Sequence, residues 1–494
     1  MTRGNICFLL LIFICGCAVE PIDDGIVRIR LKEDPTTLDP AYIVDVAGGW
    51  VAAKLYNGLV RYDEKCEIVP DIASEWEISK DGLTYTFKLR PDIRFSDGGL
   101  LKADAVKKSI ERVMAESPRK WIFSKVSDIK VIDEKTLRIA LKERSGLFLN
   151  FLALPSAYIS PDGKTGTGPY VLRSWEHDKK ILLEPNPYYF GDHAKVKGLE
   201  YVVIPEEFSA QTEFELGNLD IMEVSPIQWK KMSDETKKSR TGGYSLHSQV
   251  GLNTYYIGFN LEKTVFKNVK IRQAFNYAID KNKLIKNILQ GQGISACGPV
   301  PPVILTTKRN YEYKYLPNKA KKLMRRTNIG RPIKLYVRSQ SQAIQIAEVI
   351  QYYLRYIGVA VDIVPLEWSA FKKAVNEGET DLFLMSWWAD YPDPENFLFP
   401  CFYSSNKGAG GNRTSYSNKE VDSLIEAAQK EMDSAKRGKM FNKLQRYINR
   451  QAPWIFLWHA KELFAVQSDI KKFKLYAIYC ADKGTDIENI ESCC

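Results

Sequence analysis

The stretch from Asp381 to Phe402, DLFLMSWWADYPDPENFLFPCF, constrains the fold more than any other part of this chain. Leu382, Phe383, Leu384 and Met385 form a short apolar run behind Gly378 and Thr380, which predicts a buried strand. The run ends in Trp387, Trp388 and Asp390. Pro392 and Pro394 then forbid both helix and ladder, so the chain must turn outward. Large aromatics beside one carboxylate, at the mouth of a strand, suit a ligand pocket. The same residues also suit a plain core in which Asp390 merely starts the turn, and composition leaves both readings open.

At 494 residues the chain is too long for one small core and implies two or more lobes. Its excess of basic residues, 70 Lys+Arg against 60 Asp+Glu, is spread thinly. The densest basic stretch, Lys319, Lys321, Lys322, Arg325 and Arg326, alternates with Ala320, Leu323 and Met324. That is the wet face of an amphipathic helix, so no nucleic-acid partner is expected. At the N-terminus, Arg3 and the apolar run Ile6 to Ile14 form a targeting segment too short to span a bilayer. It ends in Ile14-Cys15-Gly16-Cys17. This box predicts a cleaved signal peptide over 1–16 and lipidation of Cys17, with ordinary secretory cleavage as the alternative; either route exports the protein. Setting aside Cys7, Cys15 and Cys17, the nine cysteines reduce to Cys66, Cys297, Cys401, Cys480, Cys493 and Cys494, all read as structural. None has zinc-ligand spacing.

Along the chain, Ile26 to Leu31 alternates with charges and predicts a strand. A helix is expected from about Val51, after Gly48-Gly49, with Gly58 as its left-handed cap. Asp81-Gly82 predicts a hairpin between Trp76 and Leu89, and Val106, Ile110 and Val113 mark a helix over 103–114. Strands are expected over 170–175 and 198–205. Farther on, the pattern of strand 333–337, helix ending at Gly358 and strand 359–364 predicts a crossover unit in a parallel or mixed sheet.

Five separated segments, in order, carry a family resemblance. They are LDP (38–40) with YNGLVRYDE (56–64); PDIASEWEISKDGLTYTFKLRPDIRFSDG (70–98); GTGPYVL (166–172) with NPYYFG (186–191); IGFNLEKTVFKNVKIRQAFNYAIDKNKLI (257–285); and ADYPDPENF within the opening stretch. Together they resemble the oligopeptide- and dipeptide-binding solute receptors of ABC importers, extracellular solute-binding family 5. The resemblance implies a large, type II-like α/β periplasmic-binding fold: two lobes, a two-strand hinge and a side subdomain. Lobe 1 would comprise 17–45, 168–250 and 469–494, the side subdomain 46–167, and lobe 2 251–468. It also implies a periplasmic monomer, anchored through its lipid, that passes peptides to permease subunits and needs no cofactor.

By the same resemblance, Val44, Asp45 and Val46 on one lobe and Ser386, Trp387 and Trp388 on the other flank a bound peptide. Such a peptide would add as a strand, with its side chains in roomy pockets. Trp368 would line one pocket, and Asp390 would hold the peptide's α-ammonium. Relatives fix the C-terminal carboxylate with Arg or His, but the matching positions here, Leu384, Val375 and Ser341 to Gln345, carry no positive charge. Arg338 is the nearest basic candidate. No catalytic constellation is legible: His177, His193, His247 and His459 are scattered, and there is no nucleophile elbow or phosphate loop. A binding protein rather than an enzyme is expected, with a cell-wall peptide, nickel chelate or haem as alternative ligands and a sensor or adhesin as the alternative role.

Overall fold

The computed structural model describes residues 25–238, 243–305, 313–325, 327 and 329–489. The signal segment 1–16, Cys17, Arg326, Cys493 and Cys494 lie outside the described residues.

The architecture is α/β and two-lobed, built on one twelve-strand sheet. Strands used below are β1 (Ile26–Leu31), β2 (Gly198–Val203), β3 (Ile221–Glu223), β4 (Tyr244–Val250), β5 (Asn253–Phe259), β6 (Ile333–Arg338), β7 (Val361–Leu366), β8 (Leu382–Trp388) and β9 (Trp454–Gln467). The spatial order is β7-β6-β8-β5-β9-β3-β1-β2, continued by two antiparallel strands over 180–185 and 170–176. β6 and β7 run parallel around an intervening helix over 341–356, the crossover that the alternating pattern implies.

β9 belongs to both lobes. Its apolar first part, Trp454 to Trp458, pairs with β5 in the second lobe; Leu463 to Gln467 pair with β3 and β4 in the first. Between them lies the polar run His459-Ala460-Lys461-Glu462. The chain crosses again at Gly251, whose N–H donates to the Ala460 carbonyl at 3.0 Å. Asn253 clamps this crossing: its Nδ2 donates to Ala460 O at 3.1 Å, and its Oδ1 accepts from Ala460 N–H at 2.8 Å. His459 packs beside it, 2.9 Å from Asn253 O, and burial lowers its pKa to about 4. The β9 crossing therefore sits near Ala460, whereas the sequence reading ended the second lobe at Ser468. A strand that continues straight through the boundary carries no turn signal to mark it.

Side-subdomain strands over 73–78, 84–89, 126–133 and 136–141 form their own sheet, with Gly82 at φ +71° in the expected hairpin turn. Their inward residues, Tyr85, Phe87, Leu137 and Ile139, nonetheless belong to the same buried cluster as Val27, Leu199 and Val466 of the first lobe. The second lobe has its own cores on the two faces of its half-sheet, one around Phe275 and Leu354, the other around Phe402 and Trp454.

Helix α1 (Val46–Leu55) begins earlier than the expected Val51. Asp45 caps it, accepting from Gly48 N–H at 2.6 Å. Gly48 and Gly49 lie inside the helix, and glycine fits there because the space around them is taken: a Cβ would stand 2.9 Å from Thr37 O and 2.7 Å from the Tyr479 ring respectively. Gly58 is likewise no left-handed cap but a close-approach residue, where a Cβ would meet Val60 O and Leu152 O below 3 Å.

Candidate functional site

β8 positions the site. Leu382 to Met385 are buried, as expected, and pair with β5 from Leu382↔Phe259 to Trp388↔Asn253. On its other side β8 meets β6 only at Leu382 and Phe383. Among the described residues, the outer edge of Leu384 to Trp388 therefore has no strand partner. Such an edge presents N–H and C=O groups to an added strand.

The side chains then alternate. Trp388 is 50% exposed and faces the interlobe cavity. Trp387 turns the other way: its Nε1–H donates to Asn396 O at 2.8 Å, tying β8 to the following helix, and it packs on the second-lobe core. Ser386 stands opposite Tyr255 and hydrogen-bonds it. Asp390 follows in the turn, its N–H donating to Asn396 Oδ1 at 3.1 Å.

An interlobe cavity of about 90 Å³ brings together Val44, Asp45, Val46, Trp388 and Asp390, with Ser156 and Tyr479 also in its wall. Val44 and Val46 are exposed apolar residues beside the α1 N-terminus. The carboxylate of Asp45 is engaged locally, by Gly48 N–H and by the Thr36 hydroxyl at 2.5 Å. It caps α1 from an extended backbone, at φ −110° and ψ 159°.

The basic residue of this cavity had no place in the sequence reading. Arg119, from the side subdomain, places Nη1 3.2 Å from the Asp390 carboxylate and Nη2 3.3 Å from the Val44 carbonyl. It thus joins both walls of the cleft. Nearby, Phe151 stands between Trp121 and Tyr391 in edge-to-face contacts at 5.5 Å, a second link between the side subdomain and the turn after β8. Nothing local announces Arg119; its only signal is Ser117-Pro118 at the end of a helix, and its partner lies 271 positions away.

Trp368 begins helix α2 (Trp368–Asn376) and lies outside the small cavity. Its exposed ring lies 4.5 Å from the Arg338 guanidinium and 5.3 Å from Lys372 Nζ. Arg338, at the C-terminal end of β6, has a buried Nε with no hydrogen-bond partner. Leu384 and Val375 are buried in the second lobe and cannot reach a ligand.

Residues 67–409 match the sequence model described as bacterial extracellular solute-binding proteins, family 5. The chain is 30% identical to heme-binding protein A of Haemophilus influenzae, over 86% of this chain and 85% of that protein. It is 27% identical to the dipeptide-binding protein of Escherichia coli, over 85% of this chain and 86% of that one. Among solved structures it resembles the ABC transporter-associated periplasmic binding protein DppA from Helicobacter pylori in complex with peptide STSA. That match has a TM-score of 0.77 and 25% identity, covering 94% of this chain and 98% of the other.

Proposed function

The chain belongs to the bacterial extracellular solute-binding proteins, family 5, and on that premise we propose that it captures short peptides between its lobes and passes them to an ABC permease. It is a non-enzymatic, periplasmic binding component. One observation carries the peptide reading. The open edge of β8, from Leu384 to Trp388, ends at Trp388 in a cavity whose opposite wall is Ile43 to Asp45 and the first residue of α1, Val46, with a carboxylate, Asp390, at its end. A peptide backbone satisfies such an edge as an added strand, and its α-ammonium meets the carboxylate.

Arg119 gives the ammonium a competitor. Its guanidinium occupies Asp390 and must yield that oxygen, or share it, when an ammonium enters. Arg338 supplies the positive charge missing from the positions expected to hold the ligand carboxylate. Its guanidinium is braced on Trp368 and its Nε lacks a partner, so a carboxylate beside it gains a charge-assisted hydrogen bond. Trp388 and Trp368, both exposed, supply walls tolerant of varied side chains. Anchoring of a monomer through lipid on Cys17 completes the proposal.

Native mass spectrometry of protein purified without refolding, followed by calorimetry with an alanine-based tetrapeptide, tests the reading. Peptides retained through purification and saturable tetrapeptide binding are expected. A haem or nickel chelate retained in their place, with no binding of the tetrapeptide, contradicts it.

A further inference from the structure

A second cavity lies outside the cleft. It has a volume of about 440 Å³ and lies between the 61–71 hairpin, the 189–192 segment and the tail segment 474–486, with none of the cleft residues in its wall. Lys483 reaches it from the tail and is only 7% exposed. Its Nζ donates to the Tyr56 carbonyl at 2.9 Å and lies 5.0 Å from the Tyr158 ring. An ammonium carries three donors, so one carbonyl leaves it under-satisfied. Two arginines join it. Arg61 donates from Nη1 to the Tyr62 carbonyl at 3.3 Å; Arg90 donates from Nε to the Asp71 carbonyl at 2.7 Å and lies against the Phe190 ring. Among the described residues, none of these three cations has a carboxylate within salt-bridge distance.

Most acids of the same wall are engaged elsewhere. Asp482 is paired with buried Lys54 at 2.8 Å. Asp71 accepts twice from Asn57 Nδ2 and once from Gly58 N–H, and it faces the charges of Lys483 and Arg61 without touching either. Asp63 closes its own turn, accepting from Lys65 and Glu67 N–H. Glu64 and Asp486 face Lys474. Asp192 also lines the cavity. A buried cation with no carboxylate in direct contact is costly, and guanidinium forks match planar or tetrahedral oxyanions.

We propose that this cavity is a second ligand site, remote from the cleft, which takes a small solute bearing a phosphate or carboxylate on Lys483, Arg61 and Arg90. Burial lowers the Lys483 pKa to about 8 against the opposing charge of Asp71, and a bound oxyanion would raise it again.

The mature full-length chain is dialysed against labelled inorganic phosphate, and separately malonate, at constant ionic strength. Vesicles of phosphatidylglycerol form a further arm, since a lipid headgroup offers the same chemistry. Saturable binding near one anion per chain is expected, about tenfold or more weaker in Lys483→Met and in Arg61→Gln/Arg90→Gln, with peptide affinity at the cleft unchanged. The arginine pair decides the matter if Lys483→Met fails to fold. Vesicle binding that depends on the same residues, without free-anion binding, assigns the site to a headgroup. No saturable binding in any arm, or equal binding by wild type and variants, overturns the proposal.

Discussion

Asp390 and Asp393 stand in one turn, and each holds an arginine, yet the two pairs differ in nearly every physical respect. Asp393 takes Arg437 in a fork, at 2.5 and 2.8 Å, with side-chain exposures of 8% and 11%. Both partners lie within the second lobe. Asp390 takes Arg119 through one contact at 3.2 Å, with exposures of 45% and 22%, and the partners come from opposite sides of the cleft. The first pair is bidentate and dry, so breaking it strands a charge. The second is single, wet and replaceable. The same Asp–Arg pairing thus serves once as a brace for the turn and once as an exchangeable contact, and burial decides which.

That contrast is open to breakage. Arg437→Ala leaves Asp393 buried without its partner and should cost about 3–5 kcal/mol of stability. A denaturant midpoint within error of wild type would show that Asp393 is no brace. Asp390→Ala should leave the midpoint nearly unchanged but cost about 2–5 kcal/mol of peptide affinity by calorimetry, since it strands the ligand ammonium. A stability loss matching that of Arg437→Ala would erase the distinction.

Glu462 extends the comparison to a carboxyl for which the described residues place no cation within salt-bridge distance. Burial, aided by the charge of Glu223, pushes its pKa up to about 8, while Lys32 opposes the shift. Because the folded pKa lies above the unfolded one, the folded state holds an extra proton between about pH 4.5 and 8. Stability attributable to Glu462 is then present at low pH and lost as pH rises through that window. Glu462→Gln should match wild type near pH 5 and exceed it by about 1–3 kcal/mol at pH 8.5, after discounting for partial exposure. A pH-independent difference would refute this. The smallest effect belongs to Arg119→Gln. It should change stability by less than about 1 kcal/mol, while peptide affinity rises about two- to threefold as Asp390 loses its competitor. Weakened peptide binding would instead make Arg119 a direct ligand contact.

Much of this frame is legible in the linear chain, for local reasons. The apolar run 382–385 and the prolines behind it specify a buried strand and an outward turn, and both are found. Asp81-Gly82 specifies its hairpin, and the isoleucine spacing its crossover helix. What escaped depends on distant partners. Gly48 and Gly49 precede the expected helix start, yet they lie inside the helix, as glycines because Thr37 and Tyr479 crowd them. Trp387 and Trp388 look equivalent until the pleat sends one to Asn396 and the other to the cleft. Arg119 is invisible until folding brings the side subdomain against the turn after β8.

The central claim, that Asp390 recognises a peptide ammonium, is tested most directly by a two-by-two calorimetric cycle. Wild type and Asp390→Ala are each titrated with a tetrapeptide and with its N-acetylated form. The account predicts that either change alone weakens binding by roughly two orders of magnitude or more, and that the two together weaken it little further, because both delete one contact. Wild-type protein that binds the acetylated peptide as tightly as the free one would contradict the claim and leave Asp390 only as the partner of Arg119.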